Sequence, residues 1–189
     1  KTVGTTNTTA TSEGKTSTAA VVTVSLVPVS AVAISPPSAS LYIDSLQTFT
    51  AVLKDAGNNI LTGRIVSWGS TAPSVASVSS SGVVKGLTPG STNITATSEG
   101  VTSTAAVVTV SNVPVNSVTL LPTSASLFVD SSTTIVATPR DINNNPLSGR
   151  VVTWTSSVPS VASVSSTGVV TAIAVGTTNI TATSEGKTS

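Results

Sequence analysis

The feature that most constrains this 189-residue chain is an internal repeat with a period of 86 residues. Shifting the sequence by 86 aligns residues 26–103 with residues 112–189, and 45 of the 78 aligned positions are identical. A fixed period of this length indicates that one structural unit has been duplicated. A unit copied with so little change is more typical of a mechanical or spacing role than of chemistry.

The period divides the chain into three predicted parts. Residues 1–25 correspond to the C-terminal strands of a preceding repeat, residues 26–111 form one complete repeat, and residues 112–189 form a repeat that lacks its last strand. We expect the hairpin formed by residues 1–25 to pack against another surface. Glycine, proline and asparagine recur between short apolar stretches, as turn signals do in a β protein.

Two explanations account for this division. In the first, the parts belong to a longer array of the same repeats. In the second, a strand containing Thr18, Val22 and Val24 of one chain completes the open repeat of another, as in donor-strand exchange. The array is favoured because residues 1–17 duplicate residues 173–189 at 14 of 17 positions. A donor would therefore bring a redundant copy of the penultimate strand.

The composition excludes several classes of function. Cysteine, methionine and histidine are absent, which removes disulfides, thiolate or imidazole metal sites, and nucleophiles that depend on Cys or His. Charged residues make up 8% of the chain and the net charge is +1, so there is no basic stripe to follow a phosphate backbone. We therefore expect no nucleic-acid partner, no cofactor and no enzymatic activity.

The hydrophobic pattern predicts an all-β fold. Threonine and valine dominate, and both are β-branched residues that suit a pleated sheet. The complete repeat contains seven or eight short apolar stretches with turn signals between them, and none of them has a helical period, which favours two antiparallel sheets packed face to face. The most apolar run, residues 19–34, is interrupted by Thr23, Ser25, Pro28 and Ser30. It predicts two strands around a proline joint and no membrane insertion.

Alternation within the predicted strands identifies the core. Phe49 belongs to the inward face of its strand, and Ile94 and Ile180 occupy the same inward position in the two copies. Trp68 and Trp154, the two tryptophans of the chain, lie on the inward alternation of their strands. A buried core tryptophan is the usual arrangement in a sandwich, whereas a sugar-binding platform needs exposed aromatic residues.

One string of residues resembles a known family. The pattern W-x4-P-S-V-A-S-V-x3-G-V-V-x5-G-x3-I-T-A runs from Trp68 to Ala96 and again from Trp154 to Ala182. It resembles the bacterial immunoglobulin-like domain, group 2, and the resemblance covers the whole chain. It implies tandem immunoglobulin-like antiparallel β-sandwiches of the kind found in intimin- and invasin-type surface proteins and on phage virions. The family has no associated catalytic residues.

The charged residues recur at fixed positions of the repeat beside turn signals. Asp141, Asn143 and Asn145 have the spacing of the first three ligands of a calcium loop, but Pro146 stands where that loop has glycine. A hydrogen-bonded turn is the simpler interpretation, with calcium as the weaker alternative. Arg64 and Arg150 flank the same loops as Asp55 and Asp141, so we expect local surface ion pairs there.

The joints between repeats are Val27-Pro28-Val29 and Val113-Pro114-Val115. Proline fixes φ and keeps the preceding residue extended, so Pro28 and Pro114 predict stiff connections. We expect a non-catalytic stalk or fibre segment of an extracellular bacterial surface or adhesion protein, with neighbouring repeats or copies as partners and a host or surface ligand bound elsewhere. Two alternatives stay open: a filament or virion component joined by strand exchange, and a module that binds glycan or host protein.

Overall fold

The structure is a computed structural model that describes residues 3–189, and all of its regular secondary structure is β-strand. The chain divides into two compact units, one up to Ser111 and one from Asn112 to Ser189. The predicted all-β fold is confirmed. Among the described residues there is no helix of the length and hydropathy that a bilayer span requires.

A β-hairpin precedes the first sandwich in its unit. Strand β1 (Gly4–Thr8) pairs antiparallel with β4 (Ala20–Val24), and β2 (Thr11–Ser12) pairs with β3 (Lys15–Thr16) at its tip. Every residue from 3 to 25 is exposed. A two-stranded ribbon has no second layer of its own to cover its apolar side, so the packing expected for this segment stays a prediction.

The first repeat is a sandwich of eleven strands. They are β5 (Ala31–Ser35), β6 (Ser38–Tyr42), β7 (Leu46–Thr48), β8 (Thr50–Lys54), β9 (Ile60–Leu61), β10 (Ser67–Ser70), β11 (Ala76–Val78), β12 (Val83–Gly86), β13 (Gly90–Ser98), β14 (Val101–Thr102) and β15 (Ala106–Ser111). One layer has the order β10-β13-β15-β6, with β14 also on β13. The other layer contains the sheets β5-β8-β9 and β11-β12-β7.

The pairing of β15 with β6 is parallel, unlike every other pairing among the described strands. Val107 to Ser111 lie opposite Ser38 to Tyr42 over five residue pairs. The ladder extends at both ends, since the Val107 N–H donates to Pro37 O at 3.2 Å and the Ile43 N–H donates to Ser111 O at 3.1 Å. The sandwich is thus closed by joining its last strand to one of its first.

The core lies between the two layers in two neighbouring clusters. The larger contains Phe49 and Ile94 together with Ala106, Val108 and Val110 of β15. The smaller contains Val29, Val32, Leu53 and Ala96, and Trp68 packs against both clusters. Alternate residues of each long strand therefore face inward, as the sequence pattern predicts.

The second repeat has eight strands. They are β16 (Ser117–Leu121), β17 (Ser132–Thr134), β18 (Val136–Arg140), β19 (Thr153–Ser156), β20 (Ala162–Val164), β21 (Val169–Ala172), β22 (Ile180–Ser184) and β23 (Lys187–Thr188). Its sheets are β16-β18, β17-β21-β20 and β19-β22-β23. They correspond to β5-β8, β7-β12-β11 and β10-β13-β14 of the first sandwich. Up to Ser189 there is no counterpart of β15.

Two segments of the second repeat differ from their counterparts in the first. Residues 124–128, the counterpart of β6, form no strand, and β22 begins at Ile180 whereas β13 begins at Gly90. Ile180 is partly buried whereas Ile94 is fully buried, and the Phe128 side chain is exposed. The core prediction for Ile180 therefore holds only in part: β15 lies beside Ile94, whereas β22 pairs with β19 and β23 within the described residues.

Candidate functional site: the clamped joint

The segment that leads into each repeat is held by an arginine and a glutamate. In the first repeat Arg64 Nη2 donates a hydrogen bond to Val27 O at 2.7 Å. The Val29 N–H donates to Glu99 Oε2 at 2.9 Å. Arg64 Nη1 lies 3.3 Å from Glu99 Oε1, an ion pair without hydrogen-bond geometry. The two side chains thus clamp the joint around Pro28 from both sides.

The second repeat has the same clamp. Arg150 Nη2 donates to Val113 O, and the Val115 N–H donates to Glu185 Oε2 at 3.0 Å. Arg150 Nη1 donates to Glu185 Oε1 at 3.2 Å. The same three contacts occur in both repeats, so the joint at Pro114 is fixed to its repeat as the joint at Pro28 is.

Local turn chemistry positions the glutamate. Glu99 and Gly100 form the two-residue turn between β13 and β14, with φ values of 49° and 83°. Two consecutive positive φ values define the type I′ hairpin turn, in which glycine is favoured at the second position. The turn directs the Glu99 carboxylate toward the joint, and Arg64, which follows Gly63, completes the clamp.

The ion pairs predicted from sequence at Asp55 and Asp141 are wrong. Arg64 pairs with Glu99, and Arg150 pairs with Glu185. These partners are 35 residues apart and are brought together by the sandwich. The arginine side chains are also buried, with 8% and 11% of their surface exposed, so these are not the freely solvated pairs that the sequence suggested.

We expect the Arg64→Met variant to loosen the joint and to lower the free energy of unfolding of the first repeat by about 1.5–3 kcal/mol. Methionine keeps most of the stem volume but removes a charged hydrogen bond to Val27 O, and bonds to charged groups contribute about that amount. Hydrogen exchange at the Val29 amide is the direct measurement.

The matched control is Lys85→Met. Lys85 Nζ lies 2.8 Å from Asp44 Oδ1, but both side chains are solvent-exposed (45% and 76%), so its loss should have almost no effect. Equal effects of the two substitutions would mean that the clamp contributes no more than a surface ion pair.

The two aspartate loops form hydrogen-bonded turns. Asp141 Oδ1 accepts the N–H groups of Asn143 and Asn145 at 2.9 and 2.7 Å, and its Oδ2 accepts Asn145 Nδ2 at 3.0 Å. The Asn145 side-chain bond is the largest cause that holds the pKa of Asp141 below its ordinary value. Asp55 accepts the corresponding bonds from Asn59, and its pKa is lowered for the same reason.

These contacts bear on the calcium candidate Asp141, Asn143 and Asn145. Both carboxylate oxygens of Asp141 already face N–H donors, and the Asn145 side chain presents its NH2 group to them. No group of three or more potential acidic, His or Cys ligands lies together within residues 3–189. The arrangement favours the turn over a metal site, and calcium binding stays a prediction that a calcium titration would test.

The aromatic residues do not form a platform for sugars. Trp68 and Trp154 contact core clusters in their repeats, and Phe49 is buried. Phe128 and Tyr42 expose their rings, but they occupy the same position of two different repeats, so each repeat exposes a single ring. Among the described residues the aromatic side chains therefore give no support to the glycan-binding alternative.

The fold and its repeated motif define a class, tandem immunoglobulin-like β-sandwich modules. The model of the bacterial Ig-like domain, group 2, matches residues 28–110 and residues 114–189. The chain belongs to that family, which confirms the resemblance seen in the sequence.

Individual relatives are more distant. Ice-binding protein 1 of Shewanella frigidimarina (strain NCIMB 400) is 29% identical over 164 residues, which are 80% of this chain and 18% of that protein. The chain thus spans less than a fifth of that relative. Similar solved structures include the S-layer protein SbsC (22% identity, 100% of this chain and 34% of that one, TM-score 0.43) and the Escherichia coli adhesin FdeC (22%, 98% and 70%, 0.44).

Proposed function

We propose that this chain is a non-catalytic, load-bearing spacer segment in the stalk or fibre of an extracellular bacterial surface or adhesion protein. Three features support this function: membership of the bacterial Ig-like family, two consecutive repeats, and a clamped proline joint at the start of each repeat. The near-neutral composition and the absence of cysteine suit a structural module outside the cell. The observation that carries the proposal is the parallel pairing of β6 with β15.

Tension along the chain enters the first repeat through the joint at Pro28 and leaves it after Ser111. It acts first on β5, which pairs antiparallel with β8, and once that ladder has opened it pulls β6 from its N-terminal end and β15 from its C-terminal end. Because the two strands are parallel neighbours, these forces act in opposite directions along one ladder, and its hydrogen bonds share the load instead of opening one after another. Neutral hydrogen bonds contribute only about 1 kcal/mol each, so loading several together is the geometry that resists extension.

We expect the Val107→Pro variant to lower the force at which the first repeat unfolds when single molecules are pulled by their two ends. Proline removes the N–H that donates to Pro37 O and disfavours the strand backbone, whereas the Val107 side chain is not in the core. Unfolding of residues 28–110 should lengthen the chain by up to about 290 Å.

Two internal standards accompany this measurement. Val21 occupies in the hairpin the position that Val107 occupies in β15, within an identical nine-residue sequence. No strand lies on the outer side of β4, so Val21→Pro should not change the unfolding force. Trp154→Ala, which weakens the second repeat, identifies the unfolding event that belongs to that repeat. If Val107→Pro left the unfolding force of the first repeat unchanged, the load-bearing ladder would be ruled out.

A further inference from the structure

Strands β5 and β6 follow each other in the sequence but belong to different layers of the first sandwich. β5 pairs antiparallel with β8, whereas β6 pairs parallel with β15 in the opposite layer. The link between them is Pro36-Pro37, and neither proline has an N–H group to donate to a ladder. The chain thus crosses from one layer to the other between two ladders that share no strand.

The core is divided in the same way. The side chains of Val29 and Val32, in and just before β5, belong to the smaller core cluster. Leu41 of β6 belongs to the larger cluster, together with Val108 of β15. Ile34 of β5 is only partly buried and packs against both clusters. Removal of β5 would therefore expose the smaller cluster and leave most of the larger one covered.

The clamp gives the start of β5 a second attachment. Arg64 lies in the loop before β10 and Glu99 directly follows β13, and both strands belong to the layer that does not contain β5. The bonds to Val27 O and from the Val29 N–H thus tie the start of β5 to that opposite layer. Hydrogen bonds to ionised groups are roughly twice as strong as those between neutral groups. β5 is therefore held by a short neutral ladder in one layer and by a buried charged clamp in the other.

We propose that the clamp is a latch on strand β5. While Arg64 and Glu99 hold the residues on either side of Pro28, β5 remains in the sandwich. When the latch opens, β5 leaves as a unit, and the β6-β15 ladder and the larger core cluster keep the rest of the first repeat folded. Arg150 and Glu185 form the same latch at the start of the second repeat.

The role of the latch under tension rests on the proposed load-bearing function. Tension at the joint loads the latch and the β5-β8 ladder together, ahead of the parallel β6-β15 ladder. The first repeat then yields in two stages, and the first stage leaves its larger core cluster intact. Opening of one structural unit at a time is the usual form of partial unfolding in native proteins, so the release of β5 is also measurable without force.

Thiol labelling measures this release. The chain has no cysteine of its own, so Val32→Cys in β5 and Val108→Cys in β15 each introduce one thiol, at positions that are 8% and 0% exposed. An aromatic disulfide reagent reacts with such a thiol only after the structure around it opens. We expect Val32→Cys to react faster than Val108→Cys. Its rate should also be almost independent of urea at low concentrations, because the effect of urea scales with the surface that an opening exposes.

Arg64→Met in the Val32→Cys chain tests the latch itself. Loss of a hydrogen bond to a charged group should speed the labelling about 10- to 100-fold, and the rate should stay almost independent of urea at low concentrations. Lys85→Met is the matched control, since it removes only a solvent-exposed ion pair and should leave the rate unchanged. Val107→Pro weakens the β6-β15 ladder and should also leave labelling at Val32→Cys unchanged, because that ladder stays closed when β5 leaves.

Two results would overturn the proposal. Equal urea dependence of labelling at Val32→Cys and Val108→Cys would show that β5 leaves only when the whole repeat unfolds. An effect of Arg64→Met no larger than that of Lys85→Met would show that the clamp does not hold β5. Neither measurement applies force, so the load-bearing function is tested separately by the unfolding force of Val107→Pro.

Discussion

Replacing Trp68 with alanine should lower the free energy of unfolding of the first repeat by about 3–5 kcal/mol, the range for removing a large aromatic side chain from a core. Trp68 packs against both core clusters, the one containing Phe49 and the one containing Leu53. Its removal therefore leaves a cavity between the two halves of the sandwich. Small domains are stable by only about 5–15 kcal/mol, so the substitution removes a large part of the total.

Hydrogen exchange followed by mass spectrometry measures this effect separately in peptides from residues 29–110 and from residues 115–184. Trp68→Phe is the matched control, since phenylalanine retains an aromatic ring in the gap and should cost less than half as much. Trp154, the remaining tryptophan of the variant, reports the second repeat by its fluorescence. A loss below about 1 kcal/mol in the first repeat would contradict the role of Trp68 in joining the two clusters.

The sandwich follows from the sequence because its signals are local. Alternation places Phe49 and Ile94 inward, and the fixed spacing from Trp68 to Ala96 is carried by residues on adjacent elements. The pairing partners of a strand cannot be predicted from such local signals. Alternation identifies which face of Ala106–Ser111 is buried but contains no information on its partner, so the parallel ladder with β6 was not predicted.

The clamp shows the same limit. Nearness in sequence favours Asp55 as the partner of Arg64, whereas Glu99 is 35 residues away and meets Arg64 only in the folded sandwich. One signal was present: Arg64 and Glu99 both recur unchanged, as Arg150 and Glu185. Asp44 and Asp55 recur in the same way, as Asp130 and Asp141, so recurrence alone does not identify Glu99 as the partner. Periodicity does not predict the partial exposure of Ile180, because that exposure depends on which strands lie beside it.

Replacing Gly82 with alanine should destabilise the first repeat by about 3 kcal/mol. Gly82 has a φ of 81°, a left-handed conformation that costs a residue with a Cβ about 1–2 kcal/mol. A Cβ there would also lie 2.5 Å from Phe49 O and 2.8 Å from Trp68 Cζ2. The backbone oxygen lies between the paired strands β7 and β8 and the indole ring packs against the two core clusters, so neither can move away without disturbing the packing. The cost of overpacking, about 1–3 kcal/mol, adds to that of the backbone.

The control separates the two contributions. Gly63 has nearly the same backbone conformation, with a φ of 70°, but no heavy atom lies within 4 Å of the place where its Cβ would be. Gly63→Ala should therefore lose only the 1–2 kcal/mol of backbone strain, and the difference between the two variants in denaturant unfolding measures how tightly the tryptophan ring rests on Gly82. Gly168 contacts Trp154 in the same way in the second repeat, so Gly168→Ala should reproduce the effect there. Equal losses for Gly82→Ala and Gly63→Ala would show that backbone strain alone explains the glycine, and that the ring does not rest on it.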